Sequence, residues 1–175
     1  MNREEHPFVA IAREAIRQRL ETGRGPALAE QDGDPPARGV FVSLHESVAE
    51  GEGPLRGCVG SIEPREPNLR TEIARSAVAA AFSDPRFPPL TAGEVEQLDI
   101  TVYLLEEPEP VAAESELDPL RYGVIVQSRG RRGLLLPAIP GIDSASAQLA
   151  IARQKAGLLP VEPADIYRFQ AEILH

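Results

Sequence analysis

Apolar residues return along this chain with two periods, and the switches between them mark the elements. In residues 7–22, "PFVAIAREAIRQRLET", Phe8, Ala12, Ala15, Ile16 and Leu20 fall on one helical stripe that Gly23 closes. Residues 68–83, "NLRTEIARSAVAAAFS", predict a second helix, stopped by "DPRF" because Pro85 disfavours helix at Asp84. A third is predicted over 144–158, with Asp143 as its N-cap and Gly157 just past its end. Thr91 and Glu94 form a T-x-x-E capping box that opens a short helix ending near Gln97.

Two-residue alternation predicts strands at 38–46, over "PLRGCVGSI" and at 98–106, where Leu98, Ile100, Val102 and Leu104 share a face. "YGVIVQS" and "GLLLPAI" flank "RGRR" as a hairpin. Residues 165–174 read as one closing strand with Tyr167, Phe169, Ala171 and Ile173 on one face. Residues 23–37 and 107–121 read as a Gly/Pro/Asp-rich loop and a proline- and acid-rich connection. Hairpin-linked strands mixed with helices, without regular βα alternation, indicate an α+β fold.

The register of the first two strands decides where the chemistry falls. Merging their apolar faces puts Val40, Val42 and Leu44 with Leu55 and Val59 in the core. Ser43, His45, Arg56 and Cys58 are then expected together on the opposite face. A neighbouring cation favours the nucleophilic thiolate, and Arg56 is permanently charged. His45 would be the proton acceptor. Gly57 and Gly60 remove side chains and admit a substrate or another backbone. Against that stands the ordinary fate of a cysteine, burial as a small apolar residue.

Composition narrows the classes. At 175 residues one compact domain is expected over 1–175: an N-terminal helix within 1–22, the loop 23–37 and a core over about 38–174. Cys58 is the single cysteine, so no internal disulfide or Cys-rich zinc site can form. No Walker A loop, Rossmann glycine fingerprint or metal-ligand spacing is present, so no cofactor or metal is expected. The charged N-terminus and the lack of a long apolar run lead us to expect a soluble, cytoplasmic chain without membrane contact. Eighteen Lys and Arg against 27 Asp and Glu give a net charge of −9, which disfavours nucleic-acid binding. The charge is uneven, with no Lys or Arg from Glu94 to Asp118 and four arginines in 121–133.

"LRGCVGSIEP", "AAFSDPRFPPL", "GLLLP" and "QKAGL", in this order, resemble the AMMECR domain family from about Gly39 to Leu174. The resemblance implies an α+β fold in which duplicated strand-and-helix units surround one barrel-like, mainly antiparallel sheet with two loosely defined sub-domains. It carries a functional site onto Leu55, Arg56, Gly57, Cys58 and Gly60, and it includes Arg86, either paired with Asp84 or lining the site. Ala138 and Ile139 after Pro137, and Ser76 in the second helix, depart from the usual family residues. An accessory component beside Memo-type and radical-SAM partner proteins is implied. The alternatives are a Cys58-dependent enzyme acting on a small anionic or peptide substrate, or a regulator of transcription or translation.

Overall fold

The computed structural model describes residues 5–26 and 33–175, so positions 27–32 of the expected loop at 23–37 lie outside the described residues. Two compact units emerge: Met1–Leu105 with Glu172–His175, and Glu106–Ala171.

In the first unit, helix α1 (Pro7–Thr22) starts at His6, whose ring accepts the Phe8 N–H, and ends on Gly23 at φ 69°. Strands β1 (Val40–Glu46) and β2 (Leu55–Ser61) form the expected hairpin. Helix α2 (Leu69–Phe82) is capped by Asn68. Only half of the expected Thr91–Glu94 box forms, the Glu94 carboxylate accepting both the N–H and the hydroxyl of Thr91, and only a 3-10 turn (Val95–Gln97) follows before β3 (Leu98–Leu105). With β8 (Ala171–Leu174) these strands give an antiparallel sheet ordered β2-β1-β3-β8. Its core joins Val40, Val42, Leu44, Ile100, Val102 and Leu104 to Ile16, Ile73, Ala77 and Ala80 of the helices. That is the face of β3 that the alternation predicts.

The second unit holds β4 (Glu109–Pro110), β5 (Gly123–Ser128), β6 (Arg131–Leu135), α3 (Ala145–Lys155) and β7 (Asp165–Phe169). Its sheet is ordered β4-β7-β5-β6, and Val124, Val126 and Leu135 pack against Leu149, Ala152 and Ala156 of α3. Ser144, not Asp143, caps α3, because its hydroxyl accepts the Ala147 N–H. The single strand expected at 165–174 is broken at Gln170, and its halves join different sheets. Periodicity carries on through the break, but pairing changes.

The expected barrel is therefore corrected: the described residues form two four-stranded sheets, and neither closes among them. Both repeat one connection order, hairpin, helix, then a strand that pairs with the first strand of the hairpin: β1-β2-α2-β3 and β5-β6-α3-β7. The repeat has an atomic signature. A Cβ on Gly57 would lie 2.2 Å from the Ala80 carbonyl oxygen of α2, and one on Gly133 would lie 2.0 Å from that of Ala152 in α3. Each helix rests on its hairpin where a glycine lets two backbones approach.

Candidate functional site

Strand β2 is an edge strand, and on it Cys58 is half-buried opposite Ser43, which in turn faces Thr101 on β3. Thr101 Oγ1 lies 3.2 Å from His175 Nδ1. A thiol, two hydroxyls and an imidazole thus line up across the first sheet, on the side away from the α1–α2 core. Ser43 and Thr101 are buried, at 4% and 6% exposure. Burying hydroxyls is unfavourable unless they are hydrogen-bonded. Tyr103 stands one register step along this face, its phenol pushed up to about 12 by burial and, secondarily, by the charges of Cys58 and Glu52. It stays neutral at physiological pH.

Of the four residues expected together, three assemble. His45 Nδ1 lies 3.4 Å from Ser43 Oγ, and its Nε2 lies 3.3 Å from Glu52 Oε1. Arg56 does not join them. The register shifts between Leu44 and His45, so Leu55 faces His45 and an extra residue is accommodated in β2. Leu55 therefore leaves the predicted core, and Gly57 takes the place opposite Leu44. A bulge of this kind re-aims a side chain. Arg56, 8% exposed, donates to Glu94 Oε1 at 2.8 Å and to the Pro88 carbonyl at 3.0 Å. Glu94, also held by Thr91, is lowered to about 2, first by its hydrogen bond from Arg56. The arginine two residues before Cys58 fastens the 88–94 segment.

The cation beside Cys58 comes from the turn after α2. Asp84, 5% exposed, accepts the Cys58 N–H through Oδ2 at 2.9 Å. Arg86 binds both Asp84 oxygens and donates to the Cys58 carbonyl at 3.3 Å. Its guanidinium pKa is raised, first by Asp84 and in smaller measure by the charge of Cys58 itself. Hydrogen bonds from Arg86 lower Asp84 to about 2, despite burial acting the other way. The expected pairing of Arg86 with Asp84 is present, and it anchors the open edge of β2 at one residue, Cys58.

Gly57 and Gly60 serve packing in this arrangement. Gly57 meets α2, while a Cβ on Gly60 would lie 2.2 Å from the Val40 carbonyl and 2.4 Å from the Phe41 ring. Asp84, Glu52, Thr101 and His175 were not singled out for the site from sequence. Only Asp84 carried a local signal, as the residue before a proline that breaks a helix.

The second unit supplies an internal control. Registering Gly133 on Gly57 places Leu134, Ile125 and Tyr167 where Cys58, Ser43 and Thr101 stand. Lys155 Nζ bonds the Leu134 carbonyl as Arg86 bonds that of Cys58, so a cation on this edge carbonyl belongs to the fold. Arg132, the counterpart of Arg56, stays in register opposite Gln127 and bonds its side chain at 2.9 Å. The polar row and the bulge distinguish the first unit.

The sequence model of the AMMECR1 family matches residues 9–174. A Thermotoga maritima protein is 43% identical over 175 residues, covering 96% of this chain and 97% of its own length. A Clostridium acetobutylicum protein is 40% identical over 170 residues, 95% of this chain but 35% of its own, so the matched region there is part of a longer polypeptide. Among solved structures, an uncharacterized protein from Pyrococcus horikoshii superposes with a TM-score of 0.84 at 32% identity, covering 95% of this chain and 88% of that one.

Proposed function

This chain belongs to the AMMECR1 family, and on that premise we propose that it is an accessory component of a multi-part modifying system, with the Cys58 edge of its first sheet as the functional surface. The proposal rests on the contrast between the two units. A fold that is content with Leu134, Ile125 and Tyr167 in one unit has no packing need for Cys58, Ser43 and Thr101 in the other. Arg86, whose side chain is 55% exposed, offers a cation beside the half-buried thiol. The accessory role is supported by the Clostridium relative, in which other sequence accompanies the domain in one chain. Memo-type and radical-SAM proteins are the partners to test. Binding of each to the purified chain, measured by titration calorimetry, is expected to survive Cys58→Ala and to fail with Arg86→Glu. Equal binding by Arg86→Glu, on protein with unchanged circular dichroism, refutes the assignment of this surface.

A second reading, Cys58-dependent chemistry on a small anionic or peptide substrate, is favoured by the Glu52–His45–Ser43 chain. Ser43 faces Cys58 directly, and such cross-strand neighbours have Cβ atoms about 5 Å apart. A proton leaving the thiol can pass through the Ser43 hydroxyl to His45, which Glu52 orients. Turnover of any substrate that survives Cys58→Ala would exclude the cysteine as nucleophile.

A further inference from the structure

The second unit carries two surfaces of opposite charge on the opposite edges of its sheet, remote in sequence from the Cys58 segment. One is basic. Arg129, Arg131 and Arg132 are exposed at the β5–β6 hairpin, next to Arg153 and Lys155 in the last turn of α3. Arg131 bonds the Gly157 carbonyl at 2.7 Å and pairs with Glu162, whose carbonyl also accepts Arg153 at 2.7 Å. The charge of Arg129 acts on the same Glu162 carboxylate. While Arg132 turns to Gln127 and Lys155 to the Leu134 carbonyl, Arg129, Arg131 and Arg153 bracket a region with two acids, Glu162 and Asp165. Within it Leu159 and Val161 are 67% and 90% exposed.

The other surface is acidic. Glu106 and Glu107 before β4, Glu109 in it and Glu114, Glu116 and Asp118 after it are all exposed, and Leu120, 69% exposed, follows them. Strands β4 and β6 are the two edges of the sheet, three strand spacings or about 14 Å apart.

Backbone geometry singles out the basic tip. Arg129 at φ 48° and Gly130 at φ 78° form the two-residue turn that prefers Asn-Gly. A left-handed arginine costs on the order of 1 kcal/mol that asparagine or glycine would reduce. The turn leaves the Arg129 side chain exposed at the hairpin tip.

We propose that the basic, apolar edge of one copy docks on the acidic edge of a second, head to tail. The complement is present in the chain itself: cations around Leu159 and Val161 on one edge, carboxylates beside Leu120 on the other. The net charge of −9 opposes association at long range, but at physiological salt that repulsion is screened beyond about 8 Å, leaving the facing patches to decide. Because the two patches differ, the contact does not close on itself, and assembly continues past two copies.

The test is sedimentation equilibrium of the full chain over a range of concentrations, at about 100 mM and about 500 mM salt. The average mass is expected to rise with concentration beyond a dimer at the lower salt and to fall to the monomer at the higher. Arg129→Glu and Val161→Ser, at exposed positions that leave the fold intact, are each expected to weaken association several-fold. Arg17→Glu, which changes the charge equally in the first unit, is expected to leave it unchanged. A chain that stays monomeric throughout, stops at a dimer, or associates equally well with Arg129→Glu and Val161→Ser overturns the proposal. So does a monomeric chain whose basic edge instead binds anionic vesicles or an oligonucleotide in an Arg129-dependent way.

Discussion

Replacing Asp84 by asparagine separates the charge of the turn after α2 from its shape. In the native chain this carboxylate accepts the Cys58 and Arg86 N–H groups and pairs with the Arg86 guanidinium while 5% exposed. Its pKa falls from the usual 3.8 to about 2, chiefly through Arg86. A depressed carboxylate contributes stability that is fully present above its unfolded value near 3.8 and is lost as pH falls through about 2. The difference corresponds to about 2 kcal/mol at pH 7, with about half remaining at pH 3. Asparagine keeps one acceptor but presents an amide to Arg86, so the variant is expected to be less stable by about 2 kcal/mol at pH 7. In urea titrations followed by circular dichroism this lowers the midpoint by about 1 M. Repeated at pH 3, the gap between native and variant chains should shrink by about half. A gap that is absent at pH 7, or equally large at pH 3, refutes the reasoning that Asp84 acts through its charge.

Gly57→Ala and Gly133→Ala are each expected to cost about 1–3 kcal/mol, since a Cβ meets a helix carbonyl, whereas Gly93→Ala, with nothing within 4 Å, should be neutral; thermal melts compare the three. Arg56→Gln removes the largest cause of the Glu94 depression, so the Glu94 carboxyl should titrate above its native value of about 2, moving towards 4.5 in a carbon-detected NMR titration. The native Glu94 contribution is likewise present above 4.5 and lost as pH falls through about 2, so Arg56→Gln should blunt the acid sensitivity of the first unit.

Much of this fold was legible because amphipathic period and turn chemistry act locally. Helices α1 and α2, a hairpin about 129–132 and the inner face of β3 all follow from spacing and punctuation, although the turn is only Arg129-Gly130 and Arg131 and Arg132 already pair within β6. The break at Gln170 was hidden because alternation does not report which neighbour a strand pairs with. The site was legible in part. Ser43, His45 and Cys58 share a face because strand alternation holds up to Leu44. One extra residue in β2 was enough to send Arg56 to Glu94 and Pro88, and no local pattern announces a bulge. Arg86 reaches the cysteine from 28 residues away through a helix and a turn, a contact that only the fold creates.

Alkylation of Cys58 by iodoacetamide at pH 7 tests most directly which cation serves the thiol. The native chain is expected to react faster than cysteine in solution, Arg86→Gln to slow the reaction several-fold, and Arg56→Gln to leave it unchanged while folded. A native rate at or below that of cysteine, or a rate that follows Arg56 and ignores Arg86, would contradict the account.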